Sequence, residues 1–172
     1  MANETTINEI AQQIQNILLE RGQMMATAES LTGGLVASHI VDIPGSSAVL
    51  AGGIVAYQNE VKEHLLGVPH QILKEKGAVS AETVKAMAEG ARQKFGCEWA
   101  IATSGIAGPG GAEPGKPVGT VWMAVANSLQ NEAFCKIFAG NRNQVREKTV
   151  YSVLSRLLFL LNNQKSTCTS EH

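Results

Sequence analysis

Cysteine, aromatic residues, surplus charge and long apolar runs are all scarce in this chain, and each scarcity removes a class of protein. The 172 residues contain three cysteines, Cys97, Cys135 and Cys168, odd in number, widely spaced and without a C-x-x-C pair. That pattern excludes a disulfide framework and a cysteine-based zinc site, and it fits a reducing compartment. Aromatics make up 5% of the chain, and 14 Lys and Arg stand against 15 Asp and Glu, a formal net charge of -1. There is neither a basic field nor an aromatic platform to hold nucleic acid, and no acidic tail. No apolar run reaches the ~18 residues of a membrane span, and Met1 to Glu9 shows no basic segment leading into an apolar one. The expectation is a soluble cytoplasmic protein without membrane or nucleic-acid partners.

What the chain does have is core material: 44% of it is hydrophobic and 17 residues are glycine. At this length about 70% of the unfolded surface can be buried in one domain, expected over residues 1–163, with residues 164–172 a disordered polar tail. Ile7, Ile10, Ile14, Ile17 and Leu18 recur at helical spacing behind a Thr6/Glu9 capping-box pair, so the first helix runs to about Gly22. Met24 to Glu29 reads as a short buried strand and Leu31 to Ile43 as a helix stopped by Pro44-Gly45. Ala48 to Tyr57 is a nearly unbroken small and β-branched run, as expected of a central strand covered on both faces. Helices follow over Asn59 to Leu66 and Ser80 to Phe95, and strands over Glu98 to Thr103, Val118 to Ala126 and Phe134 to Ala139. A last helix spans Arg142 to Leu161, with Val150, Val153, Leu154, Leu157, Leu158 and Leu161 as its buried stripe. Strands alternating with helices predict a three-layer α/β/α sandwich, and the closely spaced late strands predict an antiparallel pair within a mixed, mostly parallel sheet.

Two stretches carry more chemistry than their backbone requires. In Ala28-Glu29-Ser30-Leu31-Thr32-Gly33-Gly34 a strand runs into a helix. Ser30 there either caps the helix or acts as a nucleophile served by the positive helix end, with the amides of Thr32, Gly33 and Gly34 as oxyanion donors. A serine nucleophile needs a base, and Lys62, just past the next strand, could reach the same sheet edge if desolvation keeps it neutral; Tyr57 could relay a proton beside it. Otherwise Lys62 is a solvated helix charge. The segment from Gly105 to Gly119 is too glycine-rich for helix or strand. It is either a hairpin crossover or a backbone cradle for an anion at the carboxyl end of a strand, and it matches neither the Walker A nor the Rossmann spacing. Arg142 and Arg146, one turn apart at the start of the last helix, could both reach one phosphate, or could simply face solvent. His39, His64 and His70 have no telling context.

Four segments in register, Thr27-Ala28-Glu29-Ser30-Leu31-Thr32-Gly33-Gly34, Gly53 to Lys62, Gly77-Ala78-Val79-Ser80 and Thr103 to Gly111, resemble the CinA C-terminal domain family. Its stand-alone members include nicotinamide-nucleotide amidases, and the likeness runs from about Ile7 to Leu161. It implies an α/β/α domain that deamidates nicotinamide mononucleotide to nicotinic acid mononucleotide and ammonia in pyridine nucleotide salvage. The implied mechanism is of Ser-Lys type, without metal or other cofactor. By motif, Ser30 becomes the nucleophile and Lys62 the general base, with Tyr57 assisting; Thr103, Ser104 and Gly105 line the substrate site along with Thr32, Gly33 and Gly34. The resemblance also favours a homodimer or higher homo-oligomer. The chain departs from the family pattern at Leu31, Ser104 and Asn141. A nucleotide-binding paralogue without turnover, in a regulatory or competence-related role, is the alternative that the same motifs allow.

Overall fold

The computed structural model describes residues 5–164, so the tail expected at 164–172 lies, beyond its first residue, outside the described residues. The elements run in the order α1 (Ile7–Arg21), β1 (Met25–Glu29), α2 (Leu35–Val41), β2 (Leu50–Val55), α3 (Asn59–Leu66), α4 (His70–Lys76), α5 (Ala81–Phe95), β3 (Trp99–Gly105), β4 (Thr120–Ala126), β5 (Asn131–Ile137) and α6 (Arg142–Asn163), with a 3-10 turn at Ser46–Ala48 before β2. The sheet order is β2-β1-β3-β4-β5. β1 pairs parallel with β2 and β3, whereas β3-β4 and β4-β5 are antiparallel, so the sheet is mixed, with four strands running one way and β4 reversed.

The three strands in the middle of the sheet show why two helical layers fit. β1 reads Met25-Ala26-Thr27-Ala28, β3 Trp99-Ala100-Ile101-Ala102 and β4 Met123-Ala124-Val125-Ala126. With period-two alternation the large side chains point to one face and the alanines to the other. The large face packs against α1, α2 and α6 through Ile14, Leu18, Ile40, Leu154 and Leu157; the alanine face meets α5 through Val84, Met87, Ala88 and Ala91. Because an alanine surface has almost no height, α5 can lie close over β1, β3 and β4.

Two readings of the sequence are corrected. The β2 run is an edge strand, half-exposed along its length, and it is built of small residues because its two faces are crowded. A side chain at Gly52 would overlap the Phe95 ring, and one at Gly53 would overlap the Thr27 hydroxyl. β5 starts three residues and ends two residues earlier than its apolar stretch suggested and forms the opposite edge, leaving Ile137 exposed. Helix α4 carries no periodic signal, since Leu73 is its one buried residue.

The topology sets the place of a site. From β1 the chain leaves through α2 to β2 on one side, then crosses over through α5 to β3 on the other. The carboxyl ends of β1 and β3 therefore flank the point where the connections part to opposite faces, the position at which open α/β sheets form their clefts.

Candidate active site

A cleft of about 210 Å³ opens at that point, lined by Ser30, Leu31, Tyr57, Lys62, Ala78, Val79, Ser104, Gly105, Ala107 and Arg142. Ser30 is the first residue past β1, and its N–H continues the parallel ladder by donating to Thr103 O at 2.9 Å. The hydroxyl does not cap the helix. α2 starts from Gly34 in a left-handed conformation, without a side-chain cap from that residue, and the carboxylate of Glu29 does the work instead. It accepts from Gly34 N–H at 3.1 Å, Val36 N–H at 3.0 Å and Ala37 N–H at 2.9 Å. Ser30 is thereby left free to face the cleft.

Lys62 reaches Ser30 from α3. Only 1% of the residue is exposed, and its Nζ donates to Ala56 O at 2.8 Å, Tyr57 O at 3.1 Å and Ser30 Oγ at 3.4 Å. Two carbonyls can take two amine hydrogens, so a neutral Lys62 holds its lone pair toward the serine hydroxyl. Burial pushes the lysine pKa down from its usual 10.5, opposed by the charge of Glu60. That shift favours the neutral form, which alone can accept a proton.

Tyr57 and Arg142 close the mouth of the cleft. Arg142 donates to Tyr57 Oη at 3.0 Å and to Gly108 O at 2.9 Å, which ties the end of β2, the glycine-rich loop and the start of α6 together. Both acceptors are neutral, and among the described residues Arg142 forms no ion pair. Arg146 does not share that place. Its Nε donates to Leu31 O and its Nη2 to Thr32 O, each at 3.0 Å, so it lies under the Ser30 turn instead of beside Arg142.

The remaining expected site residues divide between the cleft and its support. Ser104 and Gly105 line the cleft, and Ser104 Oγ donates to Ala78 O at 2.7 Å, pinning the wall formed by Ala78 and Val79. Thr103 and Thr32 are fully buried behind the turn, their hydroxyls 2.7 Å apart, and do not line it. The amides of Gly33 and Gly34 donate to Ser30 O and Glu29, so neither is available as an oxyanion donor. Other amides remain. Leu31 N–H and Thr32 N–H both have no acceptor among the described residues, and of these two residues Leu31 borders the cleft. Ile106 donates to Thr120 O, so by antiparallel alternation Gly105 turns its N–H away from β4, toward the end of β1. Of the glycine-rich loop, only Gly105 and Ala107 border the cleft, and the Glu113–Lys116 stretch is a tight outlying hairpin. Of the two readings of this segment, the hairpin describes its middle, and a cradle is confined to its first residues. Glu29 was the residue whose role the sequence did not disclose; its sign was a carboxylate at the last position of an apolar strand.

The model of the CinA C-terminal domain matches residues 7–161. A CinA-like protein of Parasynechococcus marenigrum is 47% identical over 155 residues, covering 89% of this chain and 37% of that protein. A CinA-like protein of Geotalea daltonii is 49% identical over 144 residues, covering 84% and 35%. The chain thus spans little more than a third of the length of these curated relatives. Among solved structures, the competence damage-inducible protein A of Klebsiella pneumoniae superposes with a TM-score of 0.90 at 34% identity, covering 93% of this chain and 99% of that one. The competence/damage inducible protein CihA of Agrobacterium tumefaciens superposes with a TM-score of 0.87 at 39% identity, covering 91% and 96%.

Proposed function

Given that the chain belongs to the CinA C-terminal domain family, we propose that it is an amidohydrolase that removes ammonia from nicotinamide mononucleotide, leaving nicotinic acid mononucleotide. The observation that carries this reading is Lys62 Nζ, buried and held by two carbonyls, 3.4 Å from Ser30 Oγ. A binding module needs no serine and buried lysine converging in one cleft; covalent hydrolysis does.

The chemistry follows from the donors available. Neutral Lys62 takes the Ser30 proton as Oγ attacks the carboxamide carbon, and the amides of Leu31 and Gly105 receive the developing oxyanion. The lysine then gives that proton to the amide nitrogen, the C–N bond breaks, and ammonia leaves an acyl-serine. Water attacks the acyl carbon, Lys62 accepts its proton and passes it to the departing Ser30 oxygen, and the carboxylic acid is freed. The cleft suits a heteroaromatic ring against Ala78 and Val79 with its carboxamide toward Ser30, and Arg142 at the mouth suits the phosphate that a mononucleotide adds.

The deciding experiment measures ammonia from nicotinamide mononucleotide and from free nicotinamide in parallel. Release from the mononucleotide with little from nicotinamide supports the reading. Tight binding of the mononucleotide without any release would overturn it and leave a nucleotide-binding module.

A further inference from the structure

The face of the nucleophile turn that points away from the cleft carries five side-chain-to-backbone hydrogen bonds. Its two charged groups have no place in the mechanism above. Strand alternation sends Ser30 toward Lys62 and Glu29 to the opposite face, where its carboxylate is 1% exposed and forms no ion pair among the described residues. Glu29 gathers the N–H groups of Gly34, Val36 and Ala37, while Arg146, reaching across from α6, gathers the carbonyls of Leu31 and Thr32. One acceptor side chain and one donor side chain thus grip the same short segment by its complementary backbone groups.

We propose that Glu29 and Arg146 are a positioning pair: together they hold the Ser30–Gly34 turn in the one conformation that directs Ser30 Oγ at Lys62 and leaves the Leu31 amide unpaired beside the cleft. The proposal rests on Ser30 being the nucleophile. Arg146 therefore affects the catalytic step and not the affinity for substrate phosphate, even though it lies one helical turn from Arg142. Glu29 has a second consequence. By occupying the amides at the start of α2 it removes the anion site that a glycine-rich strand-to-helix turn otherwise offers, which leaves Arg142 as the cation for the substrate's phosphate.

The test compares steady-state ammonia release from nicotinamide mononucleotide by the full chain and its Arg146→Ala, Arg146→Lys and Glu29→Gln variants, together with amide hydrogen exchange over residues 31–37. A turn misplaced by a fraction of its width loses on the order of 10²-fold in rate. Arg146→Ala and Glu29→Gln are each expected to lose about that much kcat with KM changed less than about threefold. Arg146→Lys, which can still donate to one carbonyl, is expected to fall between Arg146→Ala and the unmodified chain, and it keeps the test open if the alanine variant does not fold. Exchange at Gly34, Val36 and Ala37 is expected to accelerate in Glu29→Gln. A raised KM with intact kcat in Arg146→Ala would make Arg146 a substrate ligand and overturn the proposal, as would unchanged exchange and unchanged kcat in both variants. If the unmodified chain releases no ammonia, the amidase reading falls by itself, and the exchange comparison alone decides for or against the clamp.

Discussion

At the scale of residues, the site depends on a lysine that is costly to bury. Taking an ammonium out of water favours its neutral form, and the pKa of Lys62 is lowered for that reason, with Glu60 pulling the other way. kcat/KM should therefore rise as pH passes upward through the lowered Lys62 pKa, below 10.5, and a pH–rate profile whose acid limb is unmoved in a Lys62 variant with residual activity would sink the assignment. Stability carries the same sign. Between the lowered folded-state pKa and the usual 10.5 of the unfolded chain, the unfolded state binds a proton that the folded state does not, so Lys62's contribution is present above 10.5 and is lost as pH falls through that window. Ser30→Ala and Lys62→Ala should each lower kcat at least ~10³-fold with KM little changed, and the double variant should be scarcely worse than either, because the two side chains act as a unit. Arg142→Ala should do the reverse, raising KM for the mononucleotide roughly 10-fold or more with a smaller effect on kcat, since a guanidinium–phosphate pair is lost. An unchanged KM would remove Arg142 from the substrate site.

At the scale of elements, the position of Lys62 depends on how closely α3 can approach α5. Gly90 of α5 lies against the backbone of Leu66 at the end of α3, and a methyl group there would overlap the Leu66 carbonyl oxygen. Backbone cannot turn aside as a flexible side chain can. Gly90→Ala should thus cost about 1–3 kcal/mol, the usual penalty of overpacking, and should lower kcat as well by moving α3 and Lys62 away from Ser30. Thermal unfolding and ammonia release measured together check both parts, and an alanine variant with unaltered kcat would show that α3 can shift without moving the amine. α1 gives the contrasting case. Its Thr6/Glu9 capping box is exposed and remote from the cleft, so Thr6→Ala should cost about 1 kcal/mol of stability with no effect on turnover.

At the scale of the whole molecule, the two faces of the sheet differ in what they tolerate. On the large-residue face Ile101 has neighbours that can close in when it is trimmed, and Ile101→Val should cost about 0.5–1.5 kcal/mol. Ala102 beside it points into the shallow layer under α5, where Ala102→Leu must lift the helix or force strained side chains, at about 1–3 kcal/mol. A smaller cost for Ala102→Leu than for Ile101→Val would contradict the layered description. The same asymmetry serves the site, because α5, kept close by the alanines, brings α3 and the Ala78–Val79 wall up to the ends of β1 and β3. Among the described residues no helix is long and apolar enough to cross a membrane.

Much of this was legible in the order of residues alone. Helical periodicity marked α1, α5 and α6, because each presents one face to a core, and short apolar runs marked β1, β3 and β4, which are covered on both faces. The motifs marked Ser30, Tyr57, Lys62, Ser104, Gly105 and Arg142, which the fold gathers into one cleft. α4 left no trace because a short helix with one buried residue imposes no pattern. β2 looked central because close packing on both its faces selects small residues, whereas strand order depends on connections that no local pattern records. The supporting residues were the least legible. Thr32, Thr103 and Arg146 belong behind the turn because strand alternation and partners 71 to 115 residues away put them there. Local sequence specifies which residue types a turn and a strand require, but which backbone group each side chain meets is decided only when distant elements pack.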